Sequence, residues 1–556
     1  MKEKIDSNFP FEKYRSNQYN IIENIYQSLS SKTDNYVLEA PTATGKSVIA
    51  YTAAKTLLPE IIDPDDNQKP NIIICTLTKQ LQHQYINSFS NQKDTSYIYS
   101  SQNYPCKSYP ELNNTEDACY YGHPLCPGQK CIDKKECKYL IQKSKFLSHK
   151  IGITNYHYFL TNKKLICDIL ILDECHELEK LLANNIEILL SSYNLIRFTN
   201  ALTKLKIKNI NSTLFLKLLM KLVKSKKTSI ESIEKYITNF IDYFEPLVEN
   251  AFERIEKIMD KKKVINKQQI QQQQLLTQLS ETIDKYKQFL NSKTKWIISE
   301  KSTNNNNYKI TVKPVDVYEF FEKYIANRTK KIIFMSATIC GPSEFTKNLG
   351  ITDYKYLEVP ATIPISHRRI YFFSNLGNLN YKNKWKLLPI FVEKIDEIIK
   401  YHRSCDNNVN GIIHSVSYEN AEYIKNNSKY KDDIIIPTQE EKLNINLILN
   451  KGKKILVSPS MILGIDLPDD LSRFQILLKV PYLNLGNDWV KYKLKKDQKW
   501  YARNAIMSII QCAGRSVRSI DDFAYTYILD SNFSRLLMYH QKLFPKYFLK
   551  AIKYVN

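Results

Sequence analysis

The stretch NYVLEAPTATGKSVIA at residues 35–50 constrains the fold more than any other part of the sequence. An apolar run ends at Pro41 and helix-forming residues follow Lys46, which predicts a strand, a loop and a helix. Backbone N–H groups at such a helix N-terminus bind phosphate oxygens. We therefore expect a phosphate-binding loop made of Ala40, Pro41, Thr42, Ala43, Thr44, Gly45, Lys46 and Ser47.

The loop matches the pattern G-x-x-x-x-G-K-S in all but its first position, where Ala40 replaces glycine. Lys46 is expected to reach the β- and γ-phosphates of a nucleotide, and Ser47 to ligate Mg²⁺. An ordinary strand, turn and helix without a bound nucleotide is the alternative interpretation.

Further apolar runs alternate with helical patterns, which indicates parallel α/β sheets. Residues 181–312 differ, because they carry Leu, Ile and Lys at helical spacing and contain no glycine, so we expect a helical insertion. The sequence thus predicts two α/β domains, the first of them interrupted twice. The other strand-forming runs lie within 71–85, 167–180, 330–339, 410–417, 454–460, 474–482 and 524–530.

The stretch ILILDECH at residues 169–176 is an apolar strand that ends in acidic residues. Asp173 is expected to hold Mg²⁺, directly or through water, and Glu174 to orient or deprotonate an attacking water. His176 completes this box. A solvated acidic loop is the alternative, but it fits poorly with the phosphate loop upstream.

The stretch QCAGRSVRS at residues 511–519 places Arg515 and Arg518 three residues apart, on one face of a predicted helix. Such arginines stabilise a γ-phosphate from a second domain. Gln511 is expected near the same face, and a basic surface helix is the alternative. Gly464 and Asp466, in SPSMILGIDLPDD at 458–470, are also expected at the nucleotide.

The formal net charge of +23 favours a polyanionic partner, nucleic acid first, although a chain rich in Lys, Asn, Ile and Tyr is basic in any case. Only 12 glycines are present, far below the usual share of about 7%. Those within motifs, at positions 45, 464 and 514, are therefore expected where the backbone requires glycine. The sequence shows neither a signal peptide nor a long apolar run, so we expect a soluble protein of the nucleus or cytoplasm.

Five of the eleven cysteines fall between Cys106 and Cys137. Thiols stay reduced inside cells, so clustered cysteines there are ligands more often than disulfides. Thiolates hold both iron–sulfur clusters and zinc. The spacing C-x4-C-x5-C is not the usual zinc C-x2-C pattern, which favours a cluster while leaving zinc open.

The order of these motifs resembles that of superfamily 2 helicases and, more narrowly, of the XPD/DinG family of iron–sulfur helicases. The resemblance covers nearly the whole chain. Arg15 and Gln18 match the residues on the adenine side of the Q motif, and Cys175 stands where relatives usually have alanine. The similar segments are FEKYRSNQ (11–18), TLTKQLQHQ (76–84), ITNYHYFL (153–160), DECH (173–176), SATI (336–339) and the Q-x-x-G-R-x-x-R pattern (511–518).

The resemblance implies two RecA-like parallel-sheet motor domains, the first interrupted by a small iron–sulfur domain and a helical arch. It also implies a [4Fe–4S] cluster, with Cys119 left over and the ligands Cys106, Cys126, Cys131 and Cys137. The implied divisions are 1–104, 149–184 and 313–350 for helicase domain 1, 105–148 for the cluster domain, 185–312 for the arch and 351–556 for helicase domain 2.

The activity implied by the resemblance is that of an ATP-dependent DNA helicase, which moves 5′ to 3′ on single-stranded DNA and unwinds forks. Its cofactors would be ATP, Mg²⁺ and the cluster. We expect a monomeric motor with unidentified repair or transcription partners; RNA is a less favoured substrate and no membrane partner is expected. A translocase that unwinds little and a catalytically silent scaffold are the alternatives, which strand displacement and loss of Lys46 would distinguish.

Overall fold

The structure is a computed structural model that describes residues 1–31, 33–62, 69–89, 91–106, 134–208, 210–261, 267–304, 307–438, 441, 445–450, 452–458, 467, 469–517 and 519–555. Its strands are β1 (Asn35–Glu39), β2 (Ile72–Thr76), β3 (Thr95–Tyr97), β4 (Ile151–Asn155), β5 (Ile169–Asp173), β6 (Ile188–Ser191), β7 (Trp296–Asn304), β8 (Asn307–Pro314), β9 (Lys331–Ser336), β10 (Lys355–Glu358), β11 (Ile370–Phe373), β12 (Gly411–His414), β13 (Ile434–Ile435), β14 (Ile455–Ser458), β15 (Phe474–Leu477), β16 (Tyr525–Ile528) and β17 (Ile552–Val555).

Helices connect most of these strands. They are α1 (Lys2–Asn8), α2 (Gln18–Ser30), α3 (Lys46–Ile61), α4 (Lys79–Ser88), α5 (Lys138–Ser148), α6 (Tyr156–Thr161), α7 (Leu178–Ile186), α8 (Ser192–Lys204), α9 (Ser212–Lys224), α10 (Ile230–Lys261), α11 (Lys267–Asn291), α12 (Tyr318–Tyr324), α13 (Pro342–Asn348), α14 (Lys384–Cys405), α15 (Tyr418–Asn427), α16 (Ile445–Leu449), α17 (Asp488–Lys496), α18 (Gln498–Ala513), α19 (Phe533–His540) and α20 (Lys546–Leu549).

Seven parallel strands form the first sheet, in the order β10-β1-β9-β5-β2-β4-β3. Helices cover both faces, so the strands are apolar along their length instead of alternating. In β5, Ile169 and Ile171 belong to one core, whereas Leu170 and Leu172 belong to the other. Because β9 lies between β1 and β5, the carboxyl ends of all three strands meet at one edge of the sheet.

The first sheet extends beyond the domain boundary expected at residue 350. Strand β10 pairs in parallel with β1, with Tyr36 opposite Lys355 and Glu39 opposite Glu358. The expected start of the second domain at residue 351 is therefore too early, because the chain first adds an edge strand to the first domain.

Seven parallel strands also form the second sheet, in the order β13-β14-β12-β15-β16-β11-β17. All the strands predicted in this half of the chain are present, as β12, β14, β15 and β16. The predicted fold class, two α/β domains with parallel sheets, is confirmed. We call the two sheets with their covering helices motor 1 and motor 2.

Helices α8, α9, α10 and α11 lie between β6 and β7 and form the expected helical insertion. Their aromatic contacts centre on Phe215, which lies 5.8 Å from Phe240 and 5.3 Å from Phe244 between ring centroids. An antiparallel sheet, β6-β8-β7, lies at the base of the insertion and was not predicted. Its residues belong to the same core as one face of the first sheet, so the insertion is packed onto motor 1.

Candidate active site between the two motors

The phosphate loop passes from β1 to α3 through two residues in the left-handed backbone region. Ala43 has a φ of 69°, and Gly45, at the N-terminus of α3, has a φ of 75°. The Thr44 hydroxyl donates to the carbonyl of Pro41 at 2.8 Å and closes the turn. Alternating backbone handedness directs neighbouring N–H groups into one concavity, so the loop fits a phosphate group.

Arg15 and Gln18 reach this loop from the start of α2. The Gln18 amide donates to the carbonyl of Thr44 at 3.0 Å and accepts the backbone N–H of Arg15 at 2.8 Å. The Arg15 guanidinium donates to the carbonyl of Ala43 at 3.1 Å. Both residues therefore hold the backbone of the loop, and their role beside an adenine stays a prediction.

Ala40 extends the strand and leaves the phosphate-binding turn undisturbed. It is fully buried, and its N–H donates to the carbonyl of Ser336 at 2.9 Å, which continues the pairing of β1 with β9. The methyl group packs in the core of motor 1. The departure from glycine at this position is thus compatible with the turn that follows.

Asp173 lies at the end of β5, opposite the first turn of α3, which carries Lys46 and Ser47. The buried Tyr85 hydroxyl donates to a carboxylate oxygen of Asp173 at 3.0 Å and also interacts with the Ser47 hydroxyl. The Tyr156 hydroxyl donates to the backbone carbonyl of Asp173 at 2.9 Å. A carboxylate and a hydroxyl oxygen held side by side fit a Mg²⁺ ion beside bound phosphates.

Glu174 follows in a left-handed conformation, with a φ of 52°. Its carboxylate accepts the Ser336 hydroxyl at 3.2 Å and lies 3.3 Å from Nδ1 of His176. Cys175 is fully buried, so the residue that replaces the usual alanine belongs to the core. A non-glycine residue in this region is strained, and the Glu174 side chain lines the cleft between the motors.

The two adjacent carboxyl groups have opposite pKa shifts. Burial, together with the charge of Glu174, raises the pKa of Asp173, and Lys46 opposes this effect. Burial acts to raise the pKa of Glu174 as well, but the hydrogen bond and charge of His176 and the charge of Lys46 outweigh it and lower that pKa. Glu174 is therefore ionised near neutral pH, as a residue that orients or deprotonates water must be.

A side-chain contact joins the two motors directly at this site. His176 Nδ1 lies 2.8 Å from the Ser336 hydroxyl, while His176 Nε2 contacts the amide nitrogen of Gln511 on α18. Glu174, Ser336, His176 and Gln511 thus form a continuous polar chain from motor 1 to motor 2. Gln511, which the sequence placed only near the face of Arg515, therefore also contacts the acidic box.

The prediction that Arg515 lies on a helix is wrong. Helix α18 ends at Ala513, and Gly514 caps it by donating to the carbonyl of Ile510 at 2.9 Å. Arg515 follows in a bend and is 7% exposed. Glycine has low helix propensity, so the helix stops before the arginine.

The φ of Gly514 is −85°, so the expected backbone requirement for glycine is absent here, although it is present at Gly45.

Three residues of the predicted nucleotide site, Gly464, Asp466 and Arg518, lie outside the described residues. Some of the described ones, from the phosphate loop, the acidic box and the segment around Gln511, line a cavity of about 220 Å³ between the motors, whereas Lys46, Ser47 and Asp173 do not line it. Across it, the Thr42 hydroxyl donates to the carbonyl of Val517 at 3.4 Å. The lining includes Thr42, Glu174, His176, Gln511 and Arg515.

Of the proposed cluster ligands, Cys106 and Cys137 are described, whereas Cys126 and Cys131 are not. Both described thiols are partly exposed. Tyr104 and Tyr139, two residues from each of them, are in edge contact at 5.6 Å between ring centroids. This contact joins the described residues just before position 107 to helix α5. Within the described part of the chain, no metal-binding group of His, Cys, Asp and Glu side chains is assembled.

Sequence reasoning missed three groups at this site, namely Ser336, Tyr85 and Tyr156. In the sequence, Ser336 is marked only as the first residue of SATI, yet it contacts both Glu174 and His176. The tyrosines approach Asp173 from α4 and α6, and the spacing of the sequence carries no signal for these long-range contacts.

No helix among the described residues has the length and apolarity to cross a membrane.

Two family models match the chain: the helicase C-terminal domain over residues 404–551, and the type III restriction enzyme res subunit over residues 12–204. No curated protein matches its sequence. One similar solved structure, titled XPD_Helicase, has 16% identity and a TM-score of 0.62, with 98% of this chain and 100% of the other covered. Another, Xpd4 of S. tokodaii, has 14% identity and a TM-score of 0.60 over the same shares. A third, titled XPD_APO, has 15% identity and a TM-score of 0.56, with 97% and 100% covered.

The two parallel-sheet motors lie on either side of a cleft that is lined by residues of the phosphate loop and the acidic box and is spanned by Gln511. The solved structures show that this chain has the fold of the XPD helicases. The resemblance drawn from the motifs is confirmed.

Proposed function

We propose that this chain is an ATP-dependent DNA helicase of the XPD/DinG type. One observation carries the proposal: the phosphate loop and acidic box of motor 1 share a cleft with Arg515 of motor 2, and Gln511 bridges that cleft to His176. In such an arrangement hydrolysis in one domain changes the contact with the other, and a motor requires this coupling.

Each residue has a defined role in the proposed reaction. Lys46 and the loop amides bind the β- and γ-phosphates, and Ser47 and Asp173 would hold Mg²⁺, which neutralises phosphate charge. Glu174 orients the attacking water and accepts its proton, because its carboxylate is ionised and faces the cleft. Arg515, with Arg518 as its proposed partner, stabilises the charge that develops on the transferred phosphoryl group.

Single-stranded DNA is the proposed substrate, bound mainly through its phosphates across both motors. The net charge of +23 supports a polyanionic partner. The 5′ to 3′ direction and the preference for DNA over RNA rest on the family resemblance. Stimulation of ATP hydrolysis by DNA and RNA oligonucleotides of the same sequence tests the preference. Displacement from forks with a single 5′ or 3′ tail tests the direction.

The decisive experiment for the activity is Lys46→Ala in the full chain. We expect loss of both ATP hydrolysis and strand displacement, because Lys46 supplies the charge that binds the phosphates. The matched control is Lys163→Ala, an exposed lysine in the loop that leads into β5, at the opposite end of that strand from Asp173. Retained turnover in Lys46→Ala would refute the assigned site, and loss in both variants would point to a general defect.

A [4Fe–4S] cluster is proposed for Cys106, Cys126, Cys131 and Cys137. Thiolates are the usual ligands of such clusters. Protein purified without oxygen should contain iron and acid-labile sulfide in equal amounts, and Cys137→Ser should lose both. Cys405→Ser, at an exposed cysteine on α14, is the matched control and should keep them. Zinc without iron would replace the cluster by a zinc site and leave the ATP motor in place.

A further inference from the structure

A row of ion pairs docks motor 2 onto motor 1 away from the nucleotide cleft. Its basic residues lie three residues apart on α17 and α18, and its acidic residues all belong to motor 1. Each pair therefore joins a lysine of motor 2 to a carboxylate of motor 1. We call this row the docking seam. Its pairs are Lys493–Glu179 at 2.8 Å, Lys496–Asp316 at 2.6 Å and Lys499–Glu344 at 3.3 Å.

Glu179 accepts hydrogen bonds from more residues than the other acidic residues of the seam do. Besides Lys493, its carboxylate accepts the Trp500 indole N–H at 3.1 and 3.2 Å and the Asn348 amide at 3.0 Å. The side chains of Lys493 and Glu179 are only 5% and 13% exposed, whereas Lys499 is 66% exposed. Water therefore screens the Glu179 pair least, and this pair has the most restricted geometry.

Two tryptophans enclose the Lys493 ammonium. Its nitrogen lies 4.9 Å from the ring centroid of Trp500 and 5.8 Å from that of Trp489. The same ammonium donates to the carbonyl of Val315 in motor 1 at 3.1 Å. The cation is thus held by aromatic faces of motor 2 and by oxygen atoms of motor 1, which fixes one motor against the other.

Glu179 lies in the first turn of α7, directly after the turn that contains His176. Helix α18 contacts both ends of the segment from His176 to Glu179, because Trp500 donates to Glu179 and Gln511 contacts His176. Between them, the buried Arg503 donates to the carbonyls of Ile339 and Cys340, at 2.9 and 3.1 Å. A shift of α18 therefore acts on the segment that follows Asp173 from two sides.

We propose that Glu179 is a positioning residue, which transmits the position of motor 2 to the acidic pair Asp173–Glu174 through Lys493 and Trp500. The proposal rests on the proposed ATP hydrolysis at that pair. Binding of nucleic acid across both motors shifts α18, and the carboxylate of Glu179 passes the shift to α7 and to the strand end before it. A structural ion pair alone would support the fold without affecting this stimulation.

The test is Glu179→Gln in the full chain, which keeps the shape and removes the charge. Turnover of ATP in the presence of a single-stranded DNA oligonucleotide should fall by about 10- to 100-fold, the range for a catalytic group misplaced by up to about 1 Å. The KM for ATP and turnover without DNA should stay within about twofold, because the phosphate loop is intact. Glu344→Gln, in the most exposed pair of the seam, is the matched control and should behave as wild type.

Two variants of Lys493 separate positioning from stability. Lys493→Arg keeps a cation between the tryptophans and the Glu179 carboxylate and should keep most of the DNA-stimulated turnover, whereas Lys493→Met should lose it as Glu179→Gln does. Parallel loss of melting temperature, basal turnover and stimulated turnover in Glu179→Gln and Lys493→Met, or equal stimulated turnover in Lys493→Arg and Lys493→Met, overturns the proposal. A Glu179→Gln variant that does not fold also overturns it, since the pair would then serve stability. Absence of ATP hydrolysis in the wild-type chain would instead refute the proposed function.

Discussion

Gly45→Ala is expected to destabilise motor 1 by about 2 kcal/mol through two additive costs. An alanine held at a φ of 75° costs about 1–2 kcal/mol. The new Cβ would overlap the amide nitrogen of Gln18, and moving that amide breaks its 3.0 Å hydrogen bond to Thr44, worth about 1 kcal/mol. The reduced freedom of the unfolded chain offsets roughly 0.5 kcal/mol of this.

The assay is urea unfolding of Gly45→Ala and Gly514→Ala side by side, together with the KM for ATP. Gly514 has a φ of −85°, and a Cβ there would meet nothing closer than 3.4 Å. Its substitution should change the free energy of unfolding by less than about 1 kcal/mol. Equal stabilities of the two variants, with an unchanged KM in Gly45→Ala, would refute the claim that the loop requires left-handed backbone.

Three further predictions concern other buried groups. Glu174→Gln should abolish turnover but keep ATP binding, measured by nucleotide fluorescence; retained turnover would remove its assigned role. Arg328→Met should destabilise motor 1 by about 4 kcal/mol in urea unfolding, because Arg328 donates to four backbone carbonyls and stacks on Phe159 at 4.0 Å; a loss below about 1 kcal/mol would contradict this. Burial lowers the pKa of His402 to about 4, so below its ordinary pKa of 6.5 only the unfolded chain binds the proton. His402 should therefore contribute a loss of about 2 kcal/mol in motor 2 between pH 7 and pH 5. His402→Gln should remove that part of the loss in urea unfolding, while the buried His414, whose pKa is lowered to about 3, keeps its own part.

Local patterns predicted the phosphate loop and the four central strands of each parallel sheet, because each is specified by neighbouring residues, but they did not predict the strands outside these. The run before Pro41 and the residues after Lys46 place β1 and α3 without any knowledge of the rest of the fold. The same holds for β5, where an apolar stretch of strand length ends in Asp173. The register of β1, β9 and β5 then follows from parallel pairing.

Contacts between distant segments could not be predicted in this way. Tyr85 and Asp173 are far apart in sequence, and neither residue type nor spacing marks their hydrogen bond. The pair Lys493–Glu179 joins two charged surface-like helices, and its burial depends on how the motors dock. The helix across Arg515 was wrongly extended, because a three-residue spacing fits both a helix and the bend after Gly514.

The antiparallel pairing of β6 with β8 has a consequence for how this chain can vary in length. Ile188 lies opposite Val312 and Ser191 opposite Lys309, so the insertion leaves and rejoins motor 1 about 5 Å apart. An insertion whose two ends are paired can be enlarged, exchanged or shortened to a hairpin turn. The entropic cost of bringing its ends together depends only weakly on the number of residues between them. Residues 192–308 can therefore change in number while the pairing of β6 with β8 keeps their ends together on motor 1.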